Sequence, residues 1–161
     1  METLPTNGIE QAGVVASIRR AILIILFFAL SGTLVELVLL EHTDGFWQQV
    51  PLYLLGASLV VLAWHVVHRG SLSIRVLQGT MLLFALSGAA GVVLHFKGNV
   101  EFELEMHPGA SGLGLLWEAL KGATPTLAAG TMMPLGLLGL VYAYRHPALF
   151  ATTNVSSTTE Q

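Results

Sequence analysis

The sequence predicts an all-α integral membrane protein with four transmembrane helices, and three observations lead to this prediction. First, 53% of the 161 residues are apolar and 11% are charged, whereas soluble domains average about 45–50% and about 25%; the mean hydropathy is +0.70. Second, four apolar runs are long enough to cross a hydrocarbon core of about 30 Å. Third, one segment occurs twice. The apolar runs lie near residues 20–40, 50–67, 76–96 and 126–144.

The repeated segment relates the first span to the third. Residues 17–32 align with residues 73–88, and the alignment includes Ser-Ile-Arg at the start and Phe-Ala-Leu-Ser-Gly at the end. Spans two and four align less well, at a displacement of 80 rather than 56 positions. This pattern predicts two duplicated hairpins, at about 17–69 and 73–146, related by a pseudo-twofold axis along the membrane normal. The difference of 24 positions predicts an outer insertion in the second unit, at about 97–123.

Composition and charge also predict the location and exclude several functions. Four spans leave no room for a separate soluble domain, so we expect residues 1–161 to form one membrane domain with a disordered tail at 147–161. The chain has no cysteine, which excludes disulfides, thiolate zinc sites and iron–sulfur ligation. Dispersed cations give nucleic acid nothing to bind. Five arginines flank one side of the spans and two lysines the other, which predicts both termini in the cytoplasm, in a bacterial inner membrane.

Small residues in three spans predict where helices pack or bend. Small side chains three or four positions apart allow helix backbones to approach closely, so we expect spans one and three to meet along such a seam. In span four, a proline lacks a donor and crowds the carbonyl four residues earlier, which predicts a helix break. The seam residues are Ser31, Gly32, Ser87, Gly88 and Gly91, and the break lies at Gly130 and Pro134.

A polar cluster is predicted at the outer ends of spans one and three. Glu36 lies about one turn inside span one, and a carboxylate at that depth is a functional-site hypothesis by default. His42, His95 and Lys97 are at the same level and are its candidate partners. The alternative is a carboxylate that extends to the interface, paired with a neighbour.

The insertion combines two patterns. From residue 100 to 107 apolar and polar residues alternate strictly, which predicts a short extended segment. Residues 113–121 carry an apolar stripe at helical spacing, which predicts an amphipathic helix along the outer membrane surface. The backbone of a lone strand must meet water, lipid headgroups or another polypeptide, and the last of these makes the insertion the candidate partner-binding region. Its candidate residues are Glu101, Phe102, Glu103, Leu104, Glu105 and Trp117.

Three histidines near the cytoplasmic ends of spans two and four raise the question of haem b. Bis-histidine ligation would need His146 together with His65 or His68. Because all three lie beside arginines at the membrane edge, interfacial histidines are the preferred interpretation. No metal or cofactor is predicted.

No activated nucleophile, acid–base pair or phosphate-binding loop is present, so no catalytic residue is predicted. The leading hypothesis is a non-enzymatic accessory or scaffold subunit that binds another membrane or extracytoplasmic protein, or a second copy, through the insertion. The alternative is a small carrier with an outward pocket at Glu36, His95 and the Gly130/Pro134 break. A haem or metal redox unit ranks third.

Overall fold

A computed structural model describes residues 6–122 and 126–150, and within those ranges the chain is helical, without strands. Two short 3-10 helices flank the last α-helix, at Ala128–Thr131 and Pro147–Leu149. Five α-helices follow the chain order, namely α1 (Thr6–Leu39), α2 (Phe46–Val67), α3 (Ser71–Met106), α4 (Gly112–Lys121) and α5 (Met132–Ala143).

The predicted helical class is confirmed, and three of these helices are long and apolar enough to cross a membrane. They are Glu10–Leu39, Phe46–Val67 and Ser71–Met106. The fourth apolar segment, Ala128–Ala143, is shorter. At about 1.5 Å per residue, the 36 residues of α3 extend well beyond a core of about 30 Å.

The four apolar helices form a closed ring. Helix α1 packs against α2 and α5, and α3 packs against α2 and α5 and carries α4. Spans one and three therefore occupy diagonal positions, and the prediction that they meet is wrong. The core between the helices includes Leu26, Leu55, Leu62, Met81 and Phe84.

The close seam lies between α3 and α5, because α5 presents its own glycines and small side chains to α3. A Cβ added to Gly88 would lie 2.9 Å from the Met133 backbone nitrogen, and one added to Gly136 would lie 2.8 Å from the Ala85 nitrogen. Gly91 faces Ala129 in the same way. By contrast, nothing lies within 4 Å of a Cβ added to Gly32.

The two copies of the repeat bury different faces. Leu26 is fully buried, whereas its counterpart Leu82 is 51% exposed. Phe28 is 68% exposed, whereas Phe84 is fully buried. Residues that are equivalent in the repeat therefore differ in their burial in α1 and α3.

The predicted extended segment is wrong, because residues 100–106 form the last turns of α3. Extending an existing helix adds one backbone hydrogen bond per residue, whereas a lone strand would leave its backbone groups unpaired. Five of these seven residues, three glutamates with one leucine and one methionine, also have high helix propensity.

Helix α4 folds back along this extension of α3. Gly122 lies next to Asn99, while Glu103 and His107 share a surface recess with Gly114 and Leu115. Later residues of α3 thus oppose earlier residues of α4, so the two helices are antiparallel. We call residues 97–122 the acidic hairpin, because they contain Glu101, Glu103, Glu105 and Glu118.

The change in helix type near the predicted break occurs at the start of α5. Gly130 lies in the 3-10 helix that precedes α5. Pro134 is the third residue of α5, and a proline is tolerated in the first turn, where backbone N–H groups lack intrahelical partners.

Candidate functional site

A buried polar cluster lies at the end of the bundle opposite the acidic hairpin. We call this end the basic end, since Arg19, Arg20, Arg69, Arg75 and Arg145 lie there. The His65 cluster consists of His65, Ser73, Tyr142 and His146. His65 and Ser73 are each 1% exposed and Tyr142 is 6% exposed. Polar groups are buried at a cost unless they are hydrogen-bonded, so this cluster requires internal partners.

Both ring nitrogens of His65 have partners. Its Nδ1 lies 2.9 Å from Ser73 Oγ, and its Nε2 lies 2.9 Å from the Tyr142 hydroxyl oxygen. Ser73 Oγ also lies 2.5 Å from the carbonyl oxygen of His68 and 2.9 Å from that of Gly70. A carbonyl only accepts, so the Ser73 proton is used there.

The hydrogen-bond directions follow from that assignment. His65 Nδ1 must carry the proton and donate to Ser73 Oγ, which leaves Nε2 as an acceptor for the Tyr142 hydroxyl. A continuous chain of donors thus runs from α5 through α2 to the first turn of α3. It joins three helices at one point, inside the bundle.

His146 adjoins this chain. Its ring centroid lies 5.2 Å from that of His65 and 5.4 Å from that of Tyr142. Its Nδ1 accepts a hydrogen bond from the Ala148 backbone N–H at 3.2 Å. Burial, with smaller contributions from His65 and nearby arginines, lowers the pKa of His146 to about 4. His146 is therefore neutral at physiological pH.

The arrangement does not build a nucleophile. In a serine–histidine pair used for acyl transfer, the histidine accepts the serine proton. Here Ser73 donates to backbone carbonyls and receives the His65 proton instead. Ser73 is also closed off from solvent. The cluster serves as a clamp between helices.

The histidines do not fit a haem b site. Bis-histidine ligation needs an imidazole nitrogen free on each side of the iron, yet both nitrogens of His65 are hydrogen-bonded. His68 is exposed beyond the end of α2. Within residues 6–122 and 126–150, no group of three or more histidine or carboxylate side chains is placed to hold a metal.

The predicted polar cluster at the opposite end is only partly assembled. The rings of His42 and His95 are stacked, with centroids 6.2 Å apart. Lys97 instead pairs with Glu101 on the next turn of α3, at 3.6 Å. Glu36 is exposed on α1. The structure therefore joins two of the four predicted residues.

The acidic hairpin is held together by Asn99. This buried side chain donates from Nδ2 to the Ala119 carbonyl oxygen and to Thr126 Oγ1, each at 2.9 Å. Thr126 Oγ1 also donates to the Ala119 carbonyl oxygen, at 3.2 Å. One amide thus connects α3, α4 and the chain leading into α5.

An apolar surface remains exposed on α4. The helix buries Ala119 against α3, while Leu113 is 83% and Trp117 is 61% exposed. We call this surface the α4 stripe, which consists of Leu113, Leu116, Trp117 and Leu120, all exposed.

Sequence reasoning identified His65 and His146 but missed their partners. From the sequence alone, Tyr142 belongs only to the fourth apolar run and Ser73 only to the repeated segment. A hydroxyl in the last turn of span four, at the level of His65, was the available signal for Tyr142. Asn99, within the predicted insertion, had no such signal.

Comparisons with protein-family models, curated proteins and solved structures found no match to this chain. The fold and site by themselves define its class: a small helical membrane protein with a buried polar clamp at one end and a projecting helical hairpin at the other.

Proposed function

We propose that this chain is a non-enzymatic accessory or scaffold subunit of a membrane complex, which binds a partner protein through the acidic hairpin. The observation that carries the proposal is the α4 stripe, which stays exposed although α4 is packed on α3. Contiguous apolar surface that remains exposed in a folded protein marks an interaction site.

The helical period supports this assignment. At about 100° per residue, the α4 stripe points about 140° away from the face formed by Leu115, Ala119 and Gly122. Closer packing of α4 on α3 would therefore not bury it. Tryptophan is also the residue type most enriched at the energetic centres of protein interfaces.

Charge favours a protein over the membrane surface as the occupant. The hairpin carries four carboxylates and two lysines, Lys97 and Lys121, so an excess of two negative charges remains, which an anionic bilayer would repel. Ala119 is level with Asn99. Leu113 precedes Ala119 by six residues, about 9 Å along α4, and therefore lies farther from the apolar spans. The partner we expect is an extracytoplasmic domain with an apolar groove and a basic rim.

We further propose four spans, arranged as two hairpins of common origin, with both termini in the cytoplasm of a bacterial inner membrane. The position of α5 in the ring, equivalent to that of α2, supports a fourth span. With its 3-10 turn at about 2.0 Å per residue, Ala128–Ala143 extends about 26 Å, close to the hydrocarbon thickness. The identities between residues 17–32 and 73–88 support the common origin.

Site-specific photocrosslinking in intact cells tests whether the α4 stripe binds a partner protein. A photoreactive residue at Leu113 or Trp117 should give one discrete crosslinked protein band, and the same residue at Glu118 should not. Glu118 is the matched control, because it lies on the same helix and its side chain is 52% exposed. Crosslinks to lipid alone, or equal protein bands from all three positions, would refute the proposal; a band at twice the chain mass would identify a second copy as the partner.

The carrier alternative has less support. It requires Glu36 to face an internal pocket, whereas Glu36 is exposed on α1. His95, the second residue of that pocket, stacks on His42.

A further inference from the structure

We propose that the basic end binds the phosphate of an anionic phospholipid between Arg19 and Arg69, beside His146. This is a ligand site distinct from the acidic hairpin, and it does not depend on the scaffold function.

Arg19 and Arg69 reach the same corner from different elements. Arg19, on α1, donates from its Nη2 to the carbonyl oxygens of Tyr144 and Arg145, each at 3.1 Å. This places its guanidinium across the end of α5, next to His146. Arg69 follows α2 and lies four residues after His65, whose ring contacts His146. The carbonyl oxygen of His68, the residue before Arg69, accepts a hydrogen bond from Ser73 in the His65 cluster, so the backbone of Arg69 adjoins the cluster that contains His146.

Within residues 6–122 and 126–150, no carboxylate forms an ion pair with the arginines of this corner. The three ion pairs found among the described residues all lie in the acidic hairpin, at the other end of the bundle. The described carboxylate nearest in sequence is Glu10, nine residues before Arg19 and about 13 Å away along α1. Two guanidinium groups that face one site repel each other. A bound anion would remove this repulsion, and phosphate matches the planar donor pattern of arginine.

A lipid is the source that fits the surroundings. The corner lies at the end of apolar helices, where headgroups meet the hydrocarbon core. Ile18 on α1 is 53% exposed and Val141 on α5 is 60% exposed, so apolar surface continues from the corner towards the bilayer. Acyl chains attached to a phosphate bound here would cover such surface.

Thermal unfolding of the full chain in detergent, titrated with short-chain lipids, tests the site. We expect dihexanoylphosphatidylglycerol to raise Tm in a saturable way, with little effect from dihexanoylphosphatidylcholine. Arg69→Gln should weaken the apparent affinity about fivefold. Arg69 is exposed, so this variant should fold even if Arg19→Gln, which removes donors to α5, does not.

The matched control is Arg20→Gln, which removes the same charge one position along α1. It should leave the affinity unchanged, because Arg20 points about 100° away from Arg19. Equal losses in Arg20→Gln and Arg69→Gln would indicate general surface attraction and would overturn the site. If inorganic phosphate at the same concentration gave the full shift, the site would take free phosphate, and the lipid would be the wrong ligand.

Discussion

His65 Nε2 on α2 accepts a hydrogen bond from the Tyr142 hydroxyl on α5, across 2.9 Å in the interior of the bundle. These helices occupy diagonal positions in the ring, so the bond crosses the bundle rather than following one of its seams. It brings the ends of the two predicted hairpins together.

Replacement of Tyr142 by phenylalanine should test this clamp. The variant keeps the ring but leaves Nε2 of His65 buried without a donor, so unfolding free energy should fall by about 1–3 kcal/mol. Tyr144→Phe is the control, because Tyr144 is 68% exposed and such changes are usually within about 0.5 kcal/mol. Denaturant unfolding in detergent measures both. If the two variants were equally stable, the hydrogen bond would not contribute to folding.

Gly88→Ala and Gly32→Ala form a matched pair, since the repeat aligns the two glycines. At Gly88 the new Cβ would lie 2.9 Å from Met132 Cβ and from the Met133 nitrogen, so we expect destabilisation of about 1–3 kcal/mol. At Gly32 it would meet nothing within 4 Å, so the helix should gain about 0.5–1 kcal/mol. Thermal unfolding distinguishes them. If Gly32→Ala were instead the less stable of the two variants, the closely packed seam would lie on α1.

Asn99→Ala should loosen the acidic hairpin while the spans remain folded. The variant removes the donor to the Ala119 carbonyl and to Thr126. Amide hydrogen exchange in residues 112–121 should rise about tenfold, and exchange in α2 should not change. Lys97→Ala, at a 71% exposed side chain, is the control. Unchanged exchange in Asn99→Ala would show that α4 is held by other contacts.

His146 should make the folded protein less stable as the pH falls. Its folded pKa of about 4 lies below the ordinary value of 6.5, so between these values the unfolded state binds more protons. The stability it contributes is therefore complete above about pH 6.5 and is lost as pH falls towards 4. Unfolding free energies from pH 4 to 7.5 should show a shallower slope for His146→Gln. Parallel curves for the two proteins would contradict this.

Cysteine labelling should report the proposed topology directly, since the chain has no cysteine of its own. An impermeant reagent should label Ala110→Cys in intact cells and Gly70→Cys only after permeabilisation. The reason is the excess of arginine at the end that carries residue 70. Labelling of residue 70 in intact cells would show that the orientation is opposite to the proposed one.

The sequence alone determined that the chain forms helices long and apolar enough to cross a membrane, and approximately where they lie. Hydropathy over a window of about 20 residues depends on composition and bilayer thickness, and every backbone group in lipid must be paired within the segment. No knowledge of neighbouring helices is needed for that prediction. The first three apolar runs accordingly lie within helices long enough to cross.

Tertiary structure alone decided which faces meet and which polar groups pair. Phe28 and Phe84 occupy equivalent repeat positions, yet one is exposed and the other buried, because rotation of a helix about its axis is set by its neighbours. The same holds for residues 100–106, whose alternating pattern fits a strand. Because they continue the helix before them and pack beside α4, their backbone groups are better hydrogen-bonded in a helix. His65 and Tyr142 are 77 residues apart, and only the closed ring brings them within hydrogen-bonding distance.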